Sequence, residues 1–166
     1  QTCPGFIHSG PDWCMNSSGL MVAETTIAGF FGFDPEGIPE TIRLRRAMQY
    51  ASTIDEWLEI MIEGANGEYS NDWLIGDAKT NEIACLELGL KSHQVWRKKD
   101  GYLMSSNIAQ DPEVRKETNF PYDDPQTSMA SRWNRWQQLL EENYGKIDEE
   151  MAKKLISDHF DVTLNK

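Results

Sequence analysis

Two short polar runs are the places in this chain where chemistry could reside. Glu24-Thr25-Thr26 lies near the end of an apolar, β-prone stretch over residues 20–27, and three polar side chains there cost free energy if buried without partners. An edge strand with polar faces is the plainer reading. Ser105-Ser106-Asn107 ends another extended run. An Asn at a strand end can present its amide NH2 to an acyl oxygen as readily as it can make a turn. On spacing alone the turn comes first.

Most familiar mechanisms find no motif. The chain has no G-x-S-x-G elbow, no H-E-x-x-H, no Walker loop and no Gly-rich dinucleotide turn. Its three histidines, His8, His93 and His159, fall on different elements without paired ligand spacing, so each reads as a surface or strand residue, and neither a metal nor a cofactor is expected. Cys3, Cys14 and Cys85 match neither a zinc site nor a redox pair. Cys3 and Cys14 flank a turn at Ser9-Gly10-Pro11, which leaves open a disulfide in an oxidising compartment beside the reading of small buried side chains. Cys85, in an apolar strand, reads as inert core. The runs Glu141-Glu142 and Asp148-Glu149-Glu150 lie at helix ends and polar faces, where solvation and the helix dipole account for them.

Composition narrows the class further. With 166 residues, 39% apolar and 26% charged, the chain suits one globular domain with a hydrophobic core. A net charge of −11, from 27 acidic against 16 basic residues, makes nucleic acid a poor partner. No apolar stretch is long enough to span a bilayer, and residues 1–10 lack the basic-then-apolar layout of a signal peptide.

The elements that would position the two runs follow from turn signals and periodicity. Extended runs over 2–8, 12–16 and 20–27, separated by Ser9-Gly10-Pro11 and Asn16-Ser17-Ser18-Gly19, predict a β-meander. The loop 28–37 holds Phe30, Phe31 and Phe33 among glycines, too aromatic for a solvated linker, and suits the lining of a pocket; packing of these rings under the next helix is the alternative. Pro39 opens a helix to about residue 51. Thr53 with Glu56 forms a capping-box pattern for a second helix that Gly64 ends. Hairpins are predicted for 73–77 with 83–88, and for 93–98 with 102–106 around Asp100-Gly101. A polar loop over 110–126 leads to helices at 128–143 and 148–160, the last capped by Asp148. Strands, paired helices, strands and paired helices in that order give an α+β class. Stacking of the two sheet segments, with helices outside, would make a four-layer α-β-β-α sandwich.

The order of several motifs resembles a known family. Asn16-Ser17-Ser18-Gly19-Leu20 followed by Glu24-Thr25-Thr26-Ile27 is similar to the S-S-G-L…E-T-T-I segment of phospholipase B-like proteins. Cys3-Pro4-Gly5 resembles their Y-P-G, and residues 67–73 resemble their G-T-Y-N-N-Q-W run before a strand that ends in Asp, here Asp77. Penicillin acyltransferases show a similar layout. Their N-S-A-G corresponds to residues 16–19, their G-V-P to Gly37-Ile38-Pro39, their T-N-H to Ser106-Asn107-Ile108 and their S-W-N-R to residues 131–135.

That resemblance implies an N-terminal-nucleophile (Ntn) hydrolase, in which a precursor cleaves itself and the new N-terminal Cys supplies the thiol. Its own α-amino group, which titrates near neutrality, is the base. It further implies Asn107 as an oxyanion donor and Thr25 or Thr26 near the thiol, with Glu24, Phe30, Phe31, Asn71 and Trp73 at the substrate. The substrate would be an acylated small molecule or lipid, with amide cleavage the first expectation and phospholipid ester cleavage the second. A non-catalytic module that binds an acylated ligand or a protein through Phe30, Phe31 and Phe33 is the rival of another class. In the family the nucleophile stands well upstream of the N-S-S-G turn, whereas only residues 1–15 precede Asn16 here, and Cys3 matches a structural position. The expectation is therefore an internal piece of the domain, residues 1–166, whose nucleophile-bearing segment and closing strands lie elsewhere, in a secreted, periplasmic or lysosome-like compartment.

Overall fold

The computed structural model describes residues 12–166, so the strand expected over 2–8, the Ser9-Gly10-Pro11 turn, His8 and the Cys3–Cys14 pairing lie outside the described residues. The first hairpin joins β1 (Trp13–Met15) to β2 (Leu20–Thr26). Asn16 builds its turn: Oδ1 accepts from the backbone N–H of Ser18 and Leu20, both at 3.0 Å, and Nδ2 donates to the Ala51 carbonyl at 2.9 Å. An Asn side chain that mimics a backbone turn in this way is the physical content of the N-S-S-G motif.

The remaining strands are β3 (Asn71–Asp77), β4 (Glu82–Leu88) and β5 (His93–Lys98). All pairings are antiparallel and the spatial order is β1-β2-β3-β4-β5. The two sheet segments expected to stack are instead one sheet, because β2 pairs with β3 along its whole length, from Leu20 opposite Asp77 to Thr26 opposite Asn71. The strand expected over 102–106 does not form. Beyond Gly101 the chain leaves the sheet, and the side chains of Ser105 and Asn107 bond to the ends of β3 and β2 in place of a backbone ladder. β2 lies between β1 and β3, but β1 pairs only with Met21–Ala23, and beyond the Glu24 N–H bond to the Asp12 carbonyl at 2.8 Å the Thr25-Thr26 end is paired on its β3 side among the described residues.

The long connection from β2 to β3 carries α1 (Glu40–Tyr50) and α2 (Ile54–Ile62). Thr53 caps α2 as expected, its hydroxyl accepting from Glu56 N at 3.2 Å, while Glu56 reaches back to Ser52 N at 2.6 Å. Leu44, Ala47, Ala51, Ile54, Trp57, Leu58 and Met61 pack on Leu20, Val22, Trp73, Ile75, Ala84, Leu86 and Leu88 to form the main core. Trp57 and Trp73 meet edge to face with centroids 5.6 Å apart. Buried Arg43 ties the helix pair together through the carbonyls of Ile38, at 3.0 Å, and Met61.

Three helices follow the sheet: α3 (Pro112–Arg115), which the sequence did not signal, α4 (Ser128–Glu142) and α5 (Glu149–Ile156). Thr127 and Asp148 cap the last two. Ser131 and Arg135 in α4 hold the chain after α5, through Asp161 at 2.8 Å and Asp158 at 2.7 Å. The described residues thus form a mixed helix and strand fold with one five-stranded antiparallel sheet and five helices.

Only one face of the sheet is covered by α1 and α2. The other presents Trp13, Met15, Met21, Ala23, Leu74, Gly76 and Ile83 around a shallow apolar concavity of about 360 Å³. Trp13 and Met15 are 66% and 64% exposed there.

Candidate functional site

A strand sends successive side chains to opposite faces, so Glu24-Thr25-Thr26 builds two polar clusters at one end of the sheet. Thr25 lies on the face away from α1 and α2, at the end that the segment 105–111 covers. Its cross-strand row continues to Asp72 on β3 and Glu87 on β4. The Thr25 and Ser105 hydroxyls lie 2.6 Å apart, and Ser105 donates to Asp72 Oδ2. Glu87 accepts from the backbone N–H of Gln110 at 2.6 Å and Asp111 at 2.8 Å.

Asp72 and Glu87 are both fully buried. Burial first, and the Glu87 charge second, push the Asp72 carboxyl well above the usual range. Burial raises Glu87 too, opposed by its two backbone donors. These donors leave Glu87 as the charged partner and Asp72 as the protonated one. Asp72 Oδ1 otherwise has no hydrogen-bond partner. A proton there turns an orphaned acceptor into a donor toward Glu87. Beside them, burial pushes the Cys85 thiol up, with the two carboxyls adding to it. A thiol held in its protonated form is a poor nucleophile, which agrees with the reading of Cys85 as inert core.

Glu24 and Thr26 lie on the helix-covered face. Thr26 donates to the Tyr69 hydroxyl at 2.5 Å, and Tyr69 donates to Glu24 Oε1 at 3.2 Å. The buried Asn71 amide donates to the Ser70 carbonyl at 2.8 Å and to Glu24 Oε2 at 3.2 Å. Burial raises the Glu24 carboxyl. Nearby Glu40 is pushed up to about 7 by burial, against the opposing charge of Arg43. Trp73 stands in the core against Trp57, 2% exposed.

Asn107 joins the two clusters from outside the sheet. Its left-handed backbone, φ 67°, makes it the turn residue that spacing suggested. Its amide is also committed: Nδ2 donates to the Thr26 carbonyl at 2.7 Å, while Oδ1 accepts from Arg132 at 2.8 Å. The NH2 group has a second hydrogen, and the Arg132 contact fixes which way it faces. Asn107 is therefore a residue of left-handed backbone whose side chain ties the 105–111 segment to β2 and α4.

The aromatic loop divides. Phe30 packs into a small cluster with Ile27, Ala109, Val114 and Tyr122, which is satellite core, but away from α1. Phe31 and Phe33 are 55% and 62% exposed and line a cleft of about 530 Å³ with Leu90, Lys91 and Glu117. Gly29 lets the loop turn here, at φ 69°, where a Cβ would come within 2.6 Å of Asn119 Oδ1. The structure therefore brings Thr25 and Asn107 to neighbouring positions, places Glu24, Thr26 and Asn71 behind them on the other face, and leaves Trp73 in the core and Phe31 on the surface.

Asp72, Glu87 and Arg132 join this cluster without having been expected there from the sequence, and Ser105, noted only within the Ser105-Ser106-Asn107 run, joins it too. A signal was present for two of them. Asp72 and Glu87 are acids next to the apolar middle of β3 and β4, whose other acids, Asp77 and Glu82, stand at the opposite ends, and the two face the same way once the strands are paired.

Comparison with known proteins covers the strands of this region but not Ser105, Asn107 or Arg132. The sequence model of a family described as Phospholipase B matches residues 1–96, which hold β1 to β4 and most of β5. The protein "Putative phospholipase B-like 2" of Caenorhabditis elegans is 34% identical over 82 residues, a stretch covering 46% of this chain and 14% of that protein. This chain therefore matches only a small part of that relative's length. With the family's model spanning more than half of the chain and every strand that frames Thr25, Asp72 and Glu87, the chain belongs to the phospholipase B family.

Proposed function

We propose that this chain is part of an acyl-group hydrolase of the Ntn type, whose nucleophile comes from a segment packed against the open face of the sheet. Membership in the phospholipase B family supports a hydrolase-type function in general. The observation that carries the finer reading is the arrangement at the open end of β2. A hydroxyl, Thr25, lies beside an oriented amide, Asn107, at the margin of an exposed apolar sheet face. An exposed apolar patch of this kind suits a covering layer. A second sheet there would complete the α-β-β-α sandwich and bring a nucleophile to Thr25. In that arrangement Asn107 donates to the oxyanion that develops when the thiol attacks an acyl carbon, and the nucleophile's own α-amino group takes the proton. The described residues alone hold a wall of the site, and a wall accelerates nothing until a nucleophile is positioned against it.

Amide cleavage is the first reading, on the chemistry of Ntn enzymes, and cleavage of a phospholipid ester is the second, on the name of the similar nematode protein. Turnover of an N-acyl amide series compared with lysophospholipid, by the intact processed protein, separates them. The proposal expects acyl release that depends on a mature N-terminal Cys, identified by mass spectrometry of the processed chain. Full activity in a protein with no Cys, Ser or Thr at any processed N-terminus would overturn it, whereas no acyl release together with acyl-ligand binding that is lost in Phe31→Ala would favour the non-catalytic module.

A further inference from the structure

The segment 105–111 is fastened at both ends to the two buried acids. At its start Ser105 donates to Asp72, and at its end the N–H groups of Gln110 and Asp111 donate to Glu87. Asn107 lies between these anchors, on the Thr26 carbonyl. Asp72 and Glu87 face each other directly across β3 and β4. As two carboxylates they are acceptors only and repel. With one proton between them they form a carboxylic acid hydrogen-bonded to a carboxylate. We propose that the Asp72–Glu87 pair is a proton-operated clasp, in which one shared proton holds the Asn107-bearing segment against the sheet and its loss releases that segment. Asp72 and Glu87 are thus positioning residues for Asn107. The inference rests on the acyl-hydrolase reading only for what the clasp serves.

The charged and titratable surroundings favour this role. Glu24 acts on Asp72 and Asp111 acts on Glu87, and both add negative charge. The Cys85 thiol and the Tyr122 hydroxyl face the pair and are themselves raised. Two cations touch the segment or its neighbours, and both are engaged: Arg115 over the Tyr122 ring, 4.5 Å from its centroid, and with the Ala109 carbonyl at 2.8 Å, and Arg132 with Asn107 Oδ1 at 2.8 Å. The sign follows from linkage. An acid raised on folding holds its proton more firmly in the folded chain. Stability is then full below the ordinary carboxylate range, about pH 4, and is lost as pH rises through the folded value. Glu24 and Glu40 are raised as well and add a slope of the same sign, so the diagnostic quantity is a difference between variants.

Asp72→Asn supplies that difference. The amide oxygen can accept from Ser105 and the amide NH2 can donate to Glu87, which reproduces the singly protonated pair at every pH. In the full chain, the Tm of Asp72→Asn minus that of the unmutated protein should be small near pH 4 and grow steadily toward about pH 8. Hydrogen exchange of the Gln110 and Asp111 amides, corrected for intrinsic rates, should accelerate over the same range in the unmutated protein but not in Asp72→Asn. A Tm difference that does not change with pH would overturn the proposal. If Asp72→Asn does not fold, carboxyl 13C titration of the unmutated chain decides: the proposal requires Asp72 to stay protonated where surface carboxylates have ionised, and ordinary titration of both acids near about pH 4 sinks it. None of these readouts needs turnover, so their failure is distinct from failure of the hydrolase reading.

Discussion

On the helix-covered face of the sheet Trp73 is 2% exposed and meets Trp57 edge-on, whereas on the opposite face Trp13 stands 66% exposed beside Met15 and Met21. The same strands supply both faces: β2 sends Leu20 and Val22 inward, and Met21 and Ala23 outward. An antiparallel sheet that meets water on one side normally alternates apolar and polar residues. This one is apolar on both sides through the middle of β2, β3 and β4, and turns polar at its Thr25–Asp72–Glu87 end. The difference separates two kinds of residue that look alike in sequence, those that hold the fold and those whose chemical setting depends on what lies against the open face.

Trp73→Ala should cost about 3–5 kcal/mol in a urea titration, the usual loss for a buried aromatic. In the intact protein, Met21→Ala should cost about 1 kcal/mol or more if a second layer covers the open face. A change within about 0.5 kcal/mol, typical of surface sites, would mean that the face stays in water. Next comes Asn107→Ala, for which acylation by the intact protein should slow about a hundredfold or more, as on loss of one oxyanion donor. A near-normal rate in a folded protein would return Asn107 to a turn role alone.

Within the aromatic loop the expected effects are smaller and opposite. Phe30→Ala should lower the Tm and leave acyl-chain preference unchanged, because that ring packs on Ile27, Ala109 and Val114. Phe31→Ala should shift chain preference with little change in Tm, because that ring is 55% exposed. An unchanged chain-length profile for Phe31→Ala would end its role in recognition. The smallest effect concerns Glu40, raised to about 7 by burial. Its folded state keeps a proton that the unfolded chain has lost, so its contribution falls as pH rises from about 4.5 through about 7. Glu40→Gln should remove part of that slope in a Tm profile, and an unaltered slope would contradict the assignment.

Much of this was legible in the sequence, for local reasons. The Asn16 turn, the Thr53 and Asp148 caps and the helix positions follow from side-chain to backbone bonds within a few residues, and local sequence encodes such bonds directly. What local sequence does not encode is which strand pairs with which. The full-length pairing of β2 with β3 merged two expected sheets into one. The lost strand over 102–106 has the same origin, since Ser105 and Asn107 are claimed by partners far away in sequence, on β3 and β2. Thr25 and Thr26 were read as alternatives at one site. Alternation along the strand instead assigns them to different faces, and the register then shows that Thr25 shares its row with two buried acids.

That assignment gives the most direct test of the account, through single-turnover acylation by the intact protein carrying Thr25→Val or Thr26→Val. Both changes remove one hydroxyl and keep the β-branched shape that a strand favours. The Thr26 change also leaves the backbone carbonyl that holds Asn107. Thr25→Val should slow acylation by about tenfold or more, while Thr26→Val should stay within about twofold of the unmutated rate and instead lose about 1 kcal/mol of stability with its Tyr69 bond. Equal rates for the two variants, or a larger loss for Thr26→Val, would contradict the placement of the chemistry on the open face.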